Sequence, residues 1–231
     1  MTLIVVFPAS NGVVIGSDTQ LTRGNTRTQE IKIKPFNASC LWAGSGETHI
    51  IQRLEYEFDR DKKMNKKPIE NIRDEFGQKI RDCVRKIIEL DLRSQFIYDD
   101  ITLLKRQKIQ VIFAGYTNRP VIYRYFNNGL SEIIDKPFAI GIADDLAFAL
   151  LQKYEEDFKK FDVNKASILL FKILDEAIKV GAYDINFPID LWVIDSKGAR
   201  HVEGVERNKI ITQSTKLKND EIKLLIPKKL T

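Results

Sequence analysis

Thr2-Leu3-Ile4-Val5-Val6-Phe7, then Pro8-Ala9-Ser10-Asn11-Gly12, then Val13-Val14-Ile15-Gly16-Ser17-Asp18 open the chain. Two short apolar runs separated by turn-forming residues predict a β-hairpin. Downstream, Ile31-Lys32-Ile33-Lys34 alternates at period two, and Ser39 to Ala43 forms a fourth apolar run that Gly44-Ser45-Gly46 breaks. Four strands are therefore expected before any helix. From Glu47 the spacing changes to three and four, with Ile50, Ile51, Leu54 and Phe58 and then Ile69, Ile72, Phe76, Ile80, Val84, Ile87 and Ile88, which predicts two amphipathic helices.

Strand patterns return at Gln110 to Ala114 and Val121 to Tyr125, with more extended chain from Ile133 to Ile140. Helical spacing resumes at Asp144 and again from Asn164 to Val180, where Gly181 fits a C-cap. Ile189 to Ile194 and His201-Val202 flank Asp195-Ser196-Lys197-Gly198 as a last hairpin. Blocks of strands and helices in this order predict an α+β protein in which two antiparallel sheets stack and helix pairs cover their outer faces. Residues 1–204 read as one domain, and 205–231 as a polar, Lys-rich C-terminal extension with an apolar patch at Ile222 to Ile226.

The composition narrows the function. With 43% hydrophobic and 30% charged residues, the 231-residue chain has the balance of a globular protein and the length for a sizeable core. No apolar run approaches the ~18 residues of a membrane span, and Leu3 to Phe7 lacks a basic lead, so neither a membrane protein nor a signal peptide is expected. Cys40 and Cys83 are too few for a disulfide framework or a metal cluster, which fits a reducing cytoplasm. The net charge of +5 comes from Lys and Arg dispersed among acids, a solvated surface rather than a nucleic-acid footprint. No phosphate loop, dinucleotide fingerprint, nucleophile elbow or zinc spacing occurs, and no metal or cofactor is expected. His49 and His201 are isolated and read as surface or capping residues.

Thr2 remains. Once Met1 is removed, one residue carries both a hydroxyl and a free α-amine, and an amine of pKa about 8 can serve as base for its own hydroxyl. Asp18, returning beside Thr2 across the hairpin, and Lys34 on a following strand are expected to flank it, the ammonium lowering the hydroxyl's pKa and the carboxylate orienting the ammonium. Ala43-Gly44-Ser45 supplies a bare backbone amide suited to an oxyanion. Without these neighbours, Met1-Thr2 is simply the start of a strand.

The set Thr2, Asn11 to Thr26, Lys34 and Trp42-Ala43-Gly44-Ser45-Gly46 resembles the proteasome β-type subunits and the bacterial proteasome-like peptidase of ATP-dependent rings, which are N-terminal nucleophile hydrolases. Weaker agreement runs through Gln110 to Tyr116, Ala139-Ile140-Gly141 and Ile189 to Ile194. The resemblance implies a four-layer αββα sandwich and threonine hydrolysis of peptides or amides with Thr2, Asp18, Lys34 and Gly44 at the centre. It also implies assembly into a homo-oligomeric ring, which an ATPase can partner. It assigns the substrate pocket to Leu21, Lys32, Trp42 and Gly46, where the Lys32 cation would favour an acidic side chain unless it points to solvent or pairs with Glu30. Two positions depart from the family: Ile142 stands where a supporting serine is usual, and Gly181 stands in a loop where Tyr183 or Asp184 would have to substitute. An inactive ring subunit and a non-peptidase amidohydrolase or ligase are the alternative readings.

Overall fold

The computed structural model describes residues 2–23, 26–61, 63–92, 108–154, 156–181 and 185–225. The opening stretch forms the expected hairpin. β1 (Leu3–Ala9) and β2 (Gly12–Asp18) pair antiparallel, with Ile4 opposite Ser17 and Ala9 opposite Gly12, and every residue of both strands is buried. Around this pair a five-stranded sheet is completed by β10 (Phe138–Gly141) beside β1, and by β11 (Ile189–Asp195) and then β12 (Gly198–His201) beside β2. A second five-stranded sheet runs in chain order through β5 (Ile33–Asn37), β6 (Cys40–Gly46), β7 (Ile109–Tyr116), β8 (Pro120–Phe126) and β9 (Ser131–Ile133). All the pairings are antiparallel.

Five α-helices accompany the sheets among the described residues: α1 (Thr48–Arg60), α2 (Arg73–Lys86), α3 (Asp144–Gln152), α4 (Val163–Val180) and α5 (Gly204–Leu225). The start of α4 is fixed by Asp162, whose carboxylate accepts the Lys165 N–H at 2.9 Å, and its end by Gly181 at φ +69°, the C-cap expected from the sequence. The fold is thus mixed α+β with antiparallel sheets.

Alternation along the strands distributes the apolar residues into three clusters. Ile4, Val6, Val13 and Ile15 of the first sheet meet Ile33, Leu41, Ala43, Ile112 and Ile122 of the second. From the other face of the first sheet, Leu3, Val5, Val14 and Leu191 meet Ala147 of α3 and Leu170, Ile173 and Leu174 of α4. From the other face of the second, Trp42, Val111, Phe113 and Tyr125 meet Leu54 and Phe58 of α1 and Phe76, Ile80 and Val84 of α2. In that last cluster Phe76 stacks between Phe58 and Phe113, with ring centroids 4.4 and 4.3 Å away.

Three features differ from the sequence expectation. Six strands, not four, precede α1, because β3 (Gln20–Arg23) and β4 (Thr26–Gln29) form a separate hairpin. All of β4 is exposed, so no apolar alternation announces it. The extended chain from Ile133 to Ile140 divides between the sheets, β9 closing one and β10 the other. The polar stretch after Gly204 is helical over 22 residues and lies on α4. Its attachment uses few apolar side chains, chiefly Ile210, and is completed by Lys172 of α4, a buried ammonium 2.9 Å from Glu221 and 3.2 Å from Glu176. Tyr183, Asp184 and Ile226 lie outside the described residues. No described helix is long and apolar enough to cross a membrane.

Replacing Phe76 removes the middle ring of the stack from a fully buried site. Phe76→Ala is expected to lower the unfolding free energy by ~3–5 kcal/mol, read from the midpoint of a urea or guanidinium transition at unchanged slope.

Candidate active site

The position of Thr2 follows from the edge of the first sheet. Leu3 is paired with Gly141 of β10, and the Ile142 N–H donates to the Thr2 carbonyl oxygen at 2.9 Å. Gly141 holds φ +122°, and a Cβ there would lie 1.9 Å from that same oxygen, so the approach requires glycine. Ile142, where the resemblance expects a serine, therefore meets Thr2 through its backbone, while its side chain is exposed.

Asp18 ends β2 with no solvent exposure. Its Oδ1 accepts the Leu3 N–H at 2.8 Å and its Oδ2 the Gln20 N–H at 3.1 Å. A third donor is the ammonium of Lys32, 2.7 Å from Oδ1. Lys32 is itself only 7% exposed. Burial draws its pKa below the ordinary 10.5, and the charge and hydrogen bond of Asp18 oppose that shift.

The expected pairing of Asp18 with Lys34 is corrected by this geometry. Ile33 fills the core between the sheets, so Lys34, the next residue of an alternating strand, turns to the opposite face. There its ammonium lies 2.7 Å from Glu55 of α1. Lys32 lies just before the first residue of β5, and its side chain reaches Asp18 instead.

A cavity of about 230 Å³ opens beside Thr2. Of the residues expected there, Leu21, Lys32, Lys34, Gly44 and Gly46 line it. Trp42 does not. Paired with Lys34 across the strands, it shares the face toward α1, is 2% exposed and packs edge-on against Phe58 at 5.2 Å. Lys32, expected there as a cation selecting acidic substrates, has Asp18 as its counter-ion.

Glu30 also lines the cavity, and sequence reasoning missed Ile31, Glu47, Thr48 and Ile51, which line it too, and Glu55, which holds Lys34. Ile51 and Glu55 are four apart on α1, a spacing that puts both on one helix face. A Cβ at Gly44 would sit 3.2 Å from Ile51, so the bare backbone of β6 is what leaves this corner open. A larger cavity of about 630 Å³ lies at the far end of β1 against Pro8, Ala9 and Ser10, and none of the expected site residues borders it.

Neither histidine lines the cavity, although His49 lies 3.9 Å from Glu47, which does. His201 lies 2.7 Å from Asp190 and 2.5 Å from Glu203, joining β11 and β12 to the start of α5. Among the described residues no group of three or more His, Cys, Asp or Glu is arranged to hold a metal ion.

No family model and no curated protein matches the chain. Solved structures do. An Anbu (ancestral beta-subunit) protein from Yersinia bercovieri superposes with a TM-score of 0.74 over 100% of both chains at 10% sequence identity. An Anbu (Gly-1) mutant from Hyphomicrobium sp. strain MC1 superposes with a TM-score of 0.71 over 100% of this chain and 99% of its own at 14% identity. The resemblance to proteasome β-type subunits and the bacterial proteasome-like peptidase is corrected accordingly: these structural neighbours are Anbu proteins, and at such identities the likeness shows the fold.

Proposed function

We propose that the chain is a threonine hydrolase of the N-terminal nucleophile type, acting on peptide or amide bonds once Met1 has been cut away. The observation that carries the reading is the Asp18 carboxylate. Fully buried, it holds both the amide next to Thr2 and the Lys32 ammonium, and Thr2 and Lys32 line the same cavity. The Anbu-like fold supports it.

In this mechanism the α-amine of Thr2 takes the hydroxyl proton as the oxygen attacks the substrate carbonyl. The resulting oxyanion is met by the Gly44 amide. Collapse returns the proton to the leaving amine and leaves an acyl ester on Thr2, which water then hydrolyses, with the same amine as base. Lys32, held by Asp18, takes the place first given to Lys34: its charge favours the ionised threonine oxygen. The role of Lys34 moves to the substrate pocket.

The fuller architecture belongs to the same reading. The three apolar clusters support a four-layer αββα order of α3 and α4, first sheet, second sheet, and α1 and α2. The fold shared with the Anbu (ancestral beta-subunit) structures supports association of copies of this 26.7 kDa chain in a homo-oligomer. A second reading, a structural subunit without activity, is favoured by Ile142, which brings no hydroxyl to the amine.

With Thr2 at the N-terminus, verified by intact mass, the protein is expected to cleave fluorogenic peptides, and Thr2→Ala to lower kcat by at least about 10³-fold. Absence of turnover in the processed protein would favour the structural subunit. Lys32→Ala is expected to lower kcat by about 10²-fold or more, whereas Lys34→Ala leaves kcat near that of the parent and changes KM. An NMR titration of the lysine side chains should find Lys32 below 10.5. Asp18→Asn should lower it further, because the carboxylate supports the charged form.

A further inference from the structure

The cavity beside Thr2 is reached by two ammonium groups, and each is already matched. Lys32 is held by Asp18, and Lys34 by Glu55 at the same 2.7 Å. Two more carboxylates border the cavity: Glu30, just after β4, and Glu47, just before α1. Among the described residues neither forms a close ion pair with a lysine or arginine, although the Glu30 charge is near enough to Lys32 to raise its pKa, and the nearest basic group to Glu47 is the half-exposed His49 at 3.9 Å. Leu21, Ile31 and Ile51 supply apolar wall.

A pocket with aliphatic walls and two carboxylates in excess suits a side chain with an apolar stem and a cationic head. It disfavours an acidic one, which would meet like charge while losing water. The Lys34–Glu55 pair decides the balance. Were Lys34 unmatched, its ammonium would offset one of the two excess carboxylates and provide an anchor for an acidic group.

Resting on the reading of Thr2 as nucleophile, we propose that the pocket takes the lysine or arginine side chain of a peptide substrate, and that Glu55, by holding Lys34, is the residue that sets this specificity. Glu55 touches no reacting atom in this arrangement. It acts through Lys34.

The test uses processed protein and three fluorogenic peptides that differ only in arginine, leucine or glutamate before the cleaved bond. The expected order of kcat/KM is arginine, leucine, glutamate, with at least about a tenfold gap between first and last. Glu55→Gln should narrow the gap by raising turnover of the glutamate peptide, and Glu30→Gln by lowering that of the arginine peptide. In parallel, Thr2→Ala protein is titrated calorimetrically with product-length peptides ending in arginine or glutamate, a measurement that needs no catalysis. Tighter binding of the arginine peptide without any turnover by the parent upholds the pocket assignment and removes the nucleophile reading. Equal or better use of the glutamate peptide, equal or tighter binding of its product, or no binding of either product overturns the pocket assignment and leaves Thr2 to be judged by turnover. An arginine preference unchanged in Glu55→Gln removes Glu55 as its determinant.

Discussion

Asp18 is a carboxylate without water, and its two oxygens receive three donors: the amide of Leu3, the amide of Gln20 and the ammonium of Lys32. A charge removed from solvent is tolerated only where hydrogen bonds and a counter-ion replace the lost hydration. Here the replacements come from three separate parts of the chain: the start of β1, the start of β3 and the approach to β5. The same requirement that Asp18 be met by donors therefore fixes where β1 begins, where the chain leaves the first sheet and where it enters the second. Removing one partner of such a pair leaves a buried charge uncompensated, at a cost of about 3–5 kcal/mol. That cost makes this corner rigid without any contribution from chemistry.

Much of the frame was legible because it is written in periodicity. The β1–β2 hairpin, the α1 and α2 faces and the Gly181 cap all follow from apolar spacing or a single backbone requirement. The parts that escaped are those whose stability comes from elsewhere. β4 presents only exposed side chains, and α5 is anchored largely by Lys172 to acids from two helices, so neither carries an apolar stripe to read. Most of the residues expected around Thr2 do line the cavity, but their pairing was not legible. Counting residues from Thr2 selects Lys34, but a strand alternates, and Ile33 facing the inner core sends Lys34 the other way. Trp42 shares a face with Lys34, its cross-strand partner, but is taken up by packing against Phe58 of α1.

The cavity's charge was hidden for a different reason. Glu55 lies 21 residues from Lys34, and nothing in the local pattern says that a helix carboxylate will meet a strand ammonium. Once the packing of α1 on the second sheet is fixed by Ile50, Leu54 and Phe58, the neighbouring face of that helix has no choice but to look along the cavity. Core packing thus places a polar residue without selecting its type.

Gly141 carries a last consequence. It holds no functional group, yet any side chain there would drive into the carbonyl of Thr2. In a survey of random substitutions this position would register as intolerant, although it contributes no side chain of its own. Sequence drift across relatives should accordingly preserve that glycine wherever Thr2 must keep its place, and release it in copies that no longer need the threonine to face the cavity.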